Sequence, residues 1–482
     1  MTTSYDDLIW RETSPGVWGR SVDEIEHFYF AFARLFSGSG RQGFFITGHM
    51  TITAAIPEGQ TQEQANHRLD NALKQAWLSL RYECPTVAAQ VIQNSDDNKL
   101  RKVYNVCRTD AEQNTWLNNT LVHIRTGQTG AQWANSDPPF PDLPTLLVDQ
   151  ANVDGDMYRG PLLDGSEVKN LSPSYRIAAN VPPQLSETQK KRLAEMTVQK
   201  AAAAKEKPGV RILTLPYKRG STRPGQHQRE AVTLSRDQTA ALIATCKERN
   251  ATVTHAYHAA IAIVLRDLQE RGAETMPAEY VRYILRNERQ SCVEPYNTAK
   301  HAAAVYHSVS GQALVVEMAL PAAGVTIDLP ERKAEFLRIL EVMVSFYEEV
   351  RNDVEHPQLA PFIWGERPLP LPEPGVDPTT RPVPPPAEDP SASISSMGLV
   401  DNLIKPDRTS IQAYDPWVTG EELGNGLGLF LGTYRGELCL SAAYNEAWHD
   451  QETVPRQRLQ CKLVADRDDL GELRADLDVN EP

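Results

Sequence analysis

Residues 143–161 read LPTLLVDQANVDGDMYRGP, and within them Gln150, Asp154 and Gly155 keep the spacing of a His-x-x-x-Asp-Gly motif with glutamine in the place of histidine. An imidazole accepts a proton near neutral pH and a side-chain amide does not, so the spacing survives without its base. Two readings stand. Either this is a motif that has lost its histidine, or the leucines and β-branched residues of PTLLVDQANV form a buried strand that ends in an ordinary Asp-Gly turn. The rest of the chain bears on the choice.

At 482 residues the chain exceeds one ordinary core and fits two or three domains. Hydrophobic residues make up 41% and charged residues 23%, the balance of a globular protein, and no apolar run approaches a bilayer span. The formal charge of -14, from 63 acidic and 49 basic residues, argues against nucleic acid and anionic membranes as partners. The opening MTTSYDDLIW lacks the basic start and apolar stretch of a signal peptide, so a cytoplasmic location is expected. The six cysteines show no Cys-x-x-Cys spacing and are expected to be reduced and packed.

Outward from the opening stretch, SVDEIEHFYFAFARLFS has helical apolar spacing and GFFITGHMTITAAI reads as a strand. The helix TQEQANHRLDNALKQAWLSLRYECP places Leu69, Leu73, Trp77 or its neighbours, and Leu80 near one face and ends at Pro85. SETQKKRLAEMTVQKAAAAKEK is a solvated helix that stops at Pro208, where a domain boundary is expected. Beyond it, SRDQTAALIATCKERNATVTHAYHAAIAIVLRDL gives two helices, the second capped by Thr252 or Thr254. Strands are expected in AAAVYHSVSGQALVVEMAL, a helix in ERKAEFLRILEVMVSFYEEVRN, and two strands joined by YRGE near the end. Residues 366–390 are too rich in proline for helix or central strand and are expected to be an exposed, extended loop.

GSGRQG at 38–43 has the letters of a dinucleotide fingerprint, but it follows a helix and precedes a strand, the reverse of what pyrophosphate binding needs. His255 and His258 lack a third ligand at recognisable spacing, and no metal is expected.

The segments ATVTHAYHAAIA, YNTAKHAAAVYHSVSG, PSASISSMGLVDNLIKP and LFLGTYRGELCLSAAYNEAWHD, in this order, resemble the fungal branch of the coenzyme A-dependent acyltransferase superfamily. That superfamily includes chloramphenicol acetyltransferase, peptide-synthetase condensation domains and trichothecene O-acetyltransferases. The resemblance implies an α/β protein of two lobes, residues 1–207 and 208–482, around a tunnel that admits donor and acceptor from opposite ends. It implies acyl-CoA as a co-substrate rather than a bound cofactor, a small acceptor alcohol or amine, and a monomer. In such enzymes the motif histidine is the general base on the acceptor, the aspartate is structural and pairs with an arginine, and the glycine leaves room for substrate.

That motif falls here on Gln150, Asp154 and Gly155, and DMYRGPLLDGSEVKNLSP is too short and too rich in Gly and Pro for the helix that normally follows. Loss of a general base removes a factor of about 100 to 10,000 in rate. His255 is a candidate substitute base, although a histidine at a helix start more often caps or packs. His307 and the serines Ser393, Ser395 and Ser396 of SISSMG are candidate substrate contacts, the serines on a segment resembling the one that crosses between lobes. Arg286 and Arg289 are candidate partners of Asp154, or surface charges. The expected function is O-acyl transfer in fungal secondary metabolism; the alternatives are a binding protein that has lost catalysis and a cyclase that reuses the tunnel.

Overall fold

The computed structural model describes residues 4–43, 45–56, 58–139, 141–149, 163–203, 205, 207–366, 368–408, 411–450, 462–464 and 474–476. Strands β1 (Arg11–Ser14) and β2 (Val17–Ser21) form a hairpin, followed by helix α1 (Glu24–Arg34). Asp23 and Glu26 cap α1 reciprocally, each carboxylate accepting the other residue's backbone N–H. Next come β3 (Ile46–Ala54), α2 (Gln62–Glu83), β4 (Gln90–Gln93), β5 (Leu100–Asn105) and α3 (Asp110–Thr120). The first half continues through β6 (Leu121–Ile124), α4 (Gly130–Asn135) and β7 (Leu146–Asp149). Strands β1, β2, β5 and β4 make one antiparallel sheet, whereas β6 and β7 pair in parallel.

Two expectations change here. Leu80 is 41% exposed, and α2 buries Asp70 and Arg81 beside the expected Leu78. The polar pair turns inward because each finds partners: Asp70 holds Lys74 at 2.7 Å and His123 at 2.8 Å, and Arg81 donates to the Asn105 carbonyl at 2.7 Å. Strand β7 is only half-buried rather than buried, since among the described residues β6 is its one neighbour in the sheet.

Helices α5 (Tyr175–Ala178) and α6 (Glu187–Ala203) lead out of this half, and Met196 alone is buried in α6, as its solvated pattern predicts. Beyond lie β8 (Arg211–Ile212), β9 (His227–Thr233), α7 (Arg236–Glu248) and α8 (Val253–Asp267). Then come β10 (Met276–Arg282), β11 (Leu285–Asn287), β12 (His307–Val309), β13 (Leu314–Leu320), α9 (Leu329–Asn352) and α10 (His356–Gly365). Helix α8 is buried continuously from Ala256 to Arg266, which its all-round apolar sequence requires, and it packs against α9 in the largest core. None of the helices among the described residues is long and apolar enough to cross a membrane.

The chain then runs through β14 (Ala392–Leu399), β15 (Asp407–Arg408), β16 (Ile411–Gly420), β17 (Leu427–Tyr434) and β18 (Glu437–Asn445). Strands β14, β17, β18 and β9 form a sheet in that order, with the expected turn at Arg435 and Gly436 between β17 and β18. Strand β16 leaves it and pairs antiparallel with β3, from Ile411 opposite Ala54 to Gly420 opposite Ile46. The segment that reaches across to the first half is therefore 411–420, and SISSMG is an edge strand of the second-half sheet. The sequence concealed this because Asp415-Pro416 reads as a break, while the structure absorbs it in a β-bulge between Tyr414 and Trp417.

The proline-rich segment is extended and largely exposed, as expected, but it is fastened to both halves. Asn425 exchanges two hydrogen bonds with the backbone of Ala387, Gln93 donates to the Pro372 carbonyl at 2.6 Å, and the Arg381 carbonyl packs on buried Gly38.

Candidate active site

The motif expected at Gln150, Asp154 and Gly155 lies outside the described residues; its approach does not. Because β6 and β7 are parallel, both deliver their carboxyl ends to one place, the position where open α/β sheets bind ligands. There Thr126, two residues beyond β6, donates its hydroxyl to Asp149 Oδ2 at 2.5 Å, which fixes the last described residue before Gln150. From Leu163 up to α5 the described residues contain one 3₁₀ turn, Ser166–Asn170.

The arginines proposed for Asp154 have other acceptors. Arg286 donates to Glu288 Oε1 at 2.9 Å and to the carbonyls of Val350 and Asp353, and Arg289 donates to the carbonyls of Ala302 and Ala304. Arg286 is not a surface charge either, with a side chain only 12% exposed.

His255 occupies the third position of α8, and there it caps. Its N–H donates to Thr252 Oγ1, and its Nδ1 accepts from the Thr252 N–H, each at 3.3 Å. Burial holds its pKa below the usual histidine value, and Tyr347 lies against its ring. The next contact along joins α8 to β14: Thr254 Oγ1 lies 3.0 Å from Ser396 Oγ. Of the other serines Ser393 is exposed and Ser395 half-buried. His307 is engaged elsewhere, with Nε2 2.6 Å from the Tyr29 hydroxyl, and burial pushes its pKa down to about 4. The structure thus places Ser396 beside the helix that carries His255, and sets His307 against α1.

A histidine that sequence reasoning passed over sits on the strand pair that joins the halves. His49 of β3 is directly opposite Trp417 of β16, and the rings stack with centroids 4.9 Å apart and planes at 15°. The bulge turns Asp415 to a φ of 45°, and its carbonyl then meets His49 Nδ1 at 3.1 Å. A carbonyl only accepts, so Nδ1 carries a proton, and in the neutral ring the lone pair is on Nε2. Gly130, at the start of α4, packs on the same imidazole so closely that a methyl there would overlap it. Trp417 also bears the buried guanidinium of Arg229, 4.4 Å from its ring centre. The only trace in the sequence is a polar alternation, Thr47, His49 and Thr51, inside a strand.

No family model matches the chain. It is 25% identical over 511 residues to the O-acetyltransferase pigM of Monascus ruber, covering 98% of this chain and 88% of that protein. It is 22% identical over 485 residues to the acetyltransferase pigO of the same fungus, covering 92% of this chain and 95% of that one. Its fold superposes on the trichothecene 15-O-acetyltransferase TRI3 of Fusarium sporotrichioides with a TM-score of 0.71 and 13% identity, over 95% of this chain and 98% of the other. These likenesses support the acyltransferase superfamily that the chain's motifs resemble. The superfamily fold is present along nearly its whole length, and the mixed sheet-and-helix architecture expected from the sequence is the one observed. Among the described residues no cluster of three or more His, Cys, Asp or Glu could hold a metal ion.

Proposed function

We propose that this chain transfers an acyl group, acetyl in the first instance, from coenzyme A to a hydroxyl of a small fungal secondary metabolite such as a polyketide or terpenoid alcohol. The observation that carries this reading is the end-to-end likeness to two fungal acetyltransferases together with the fold of a third. In the reaction the acceptor oxygen attacks the thioester carbonyl, the intermediate oxyanion collapses, and the CoA thiol leaves. Acyl-CoA is a co-substrate that enters a tunnel between residues 1–207 and 208–482, so no resident cofactor is needed.

Gln150 in the motif favours one competing reading, a homologue that binds without turnover or cyclises its ligand. Calorimetry and thermal shift with acetyl-CoA and longer acyl-CoAs separate them. A ligand at about 100 times its Kd stabilises the fold by about 2.7 kcal/mol. The acyltransferase reading expects heat and such a shift, and it expects Gln150→His to accelerate release of the CoA thiol because a base enters the motif. No heat and no shift at millimolar acyl-CoA would reject it, and binding with no release of the CoA thiol would favour the competing reading.

A further inference from the structure

We propose that His49 is the proton acceptor for acyl transfer, taking over the role that Gln150 cannot fill; this rests on the acyltransferase reading above. A working general base needs an available lone pair, a fixed tautomer and a place where both halves of the protein meet. His307 has its Nε2 on the Tyr29 hydroxyl, and His255 has its Nδ1 lone pair on the start of α8. The buried group Glu288, Ser308 and His356 is closed to substrate, since all three residues are at most 1% exposed.

His49 meets each requirement. The Asp415 carbonyl takes the proton of Nδ1 and leaves Nε2 as the acceptor. The residue is partly exposed, so substrate can reach it. Stacking on Trp417 fixes the ring plane, and the bulge that aims the Asp415 carbonyl holds a non-glycine residue at a φ of 45°, a conformation with a conformational cost. The placement is also right. Gly130, whose missing side chain admits the imidazole, belongs to the connection after β6 whose Thr126 holds Asp149, the residue before Gln150. The ring therefore packs against the connection that follows β6, on the ribbon made by β3 and β16.

The step balances. His49 Nε2 takes the hydroxyl proton of the acceptor as its oxygen bonds to the thioester carbon, and the carbonyl electron pair moves to oxygen. Collapse of that oxyanion breaks the carbon–sulfur bond, and the departing CoA sulfur takes the proton from Nε2, which restores the neutral imidazole.

The test joins chemical labelling with turnover on the full-length protein. Diethyl pyrocarbonate acylates unprotonated imidazoles, and mass spectrometry locates the adducts. His49 should label, and acetyl-CoA should protect it, while His67 on the exposed face of α2 serves as the control that acetyl-CoA leaves unchanged. In CoA release from acetyl-CoA with water or 2-phenylethanol as acceptor, His49→Gln should lose about 100-fold or more while its acetyl-CoA binding heat is retained. Gly130→Ala, whose methyl displaces the ring, should lose activity while its circular dichroism stays native. Activity in His49→Gln within about twofold of wild type, below the least that a general base contributes, would overturn the proposal. So would labelling of His49 that is indifferent to bound acetyl-CoA. Absence of acetyl-CoA binding in the wild type would reject the acyltransferase reading itself and this role with it.

Discussion

Ser308 is buried with its hydroxyl 2.5 Å from Glu288 Oε1 and 3.0 Å from His356 Nε2. The single hydroxyl proton goes to the carboxylate, so His356 donates through Nε2. Burial, with the Arg286 charge nearby, pushes its pKa down to about 4 from 6.5. A histidine whose folded pKa is depressed stabilises the fold above its unfolded value and loses that contribution as pH falls toward the folded one. The stability difference between wild type and His356→Gln should therefore narrow between pH 6.5 and 4, read from urea midpoints across that range. Ser308→Ala leaves Glu288 and His356 without their shared hydroxyl and should cost about 1–3 kcal/mol at pH 7 by the same measurement. At this scale the sequence disclosed what local spacing encodes. Thr252 three residues before His255 is a capping pattern and it caps, whereas the His49–Asp415 contact joins positions far apart in the chain and no local pattern announces it.

Among the elements, the proline-rich segment shows how composition fixes conformation but not contacts. Proline excludes helix and ladder pairing, which the sequence states, yet the segment is held where its carbonyls find donors and where Gly38 leaves room for the Arg381 carbonyl. Gly38→Ala puts a methyl into that carbonyl, and since backbone cannot swing aside as a side chain can, a loss of about 1–3 kcal/mol is expected from thermal unfolding. Proteolysis within 366–390 should quicken in the variant; unchanged stability and cleavage would show that the segment is not fastened there. The helices were legible because caps and a 3.6-residue period act locally. The face of α2 was not, because Asp70 and Arg81 turn inward toward partners on β5 and β6 that periodicity cannot see. Strand β16 was missed for a different reason: a proline in a run argues against a strand unless a bulge takes it, and bulges leave no reliable signature.

For the molecule as a whole, the pairing of β16 with β3 means that residues 411–420 complete structure begun at residues 46–54. Other links span the same junction. Arg41 pairs with both Asp137 and Glu421, and the Asn135 side chain exchanges hydrogen bonds with the backbone of Arg229 at 2.8 and 3.0 Å. A fragment of residues 1–207 would lose the ladder partner of β3 and expose Ile46, Met50 and Ile52, already the apolar face of an exposed ribbon, along an unpaired edge. Burying an edge strand's backbone partners in a second half couples the two, because neither half satisfies its own hydrogen bonds alone. The whole chain should therefore unfold in one calorimetric transition, and fragments 1–207 and 208–482 should be aggregation-prone apart and recover native circular dichroism only when mixed. Replacing Thr51 with proline, which cannot donate to the ladder opposite Tyr414, tests the same coupling inside the intact protein. If the halves are coupled through this ribbon, the substitution lowers the single transition as a unit; a split into two transitions would show that the ribbon joins two bodies that fold independently.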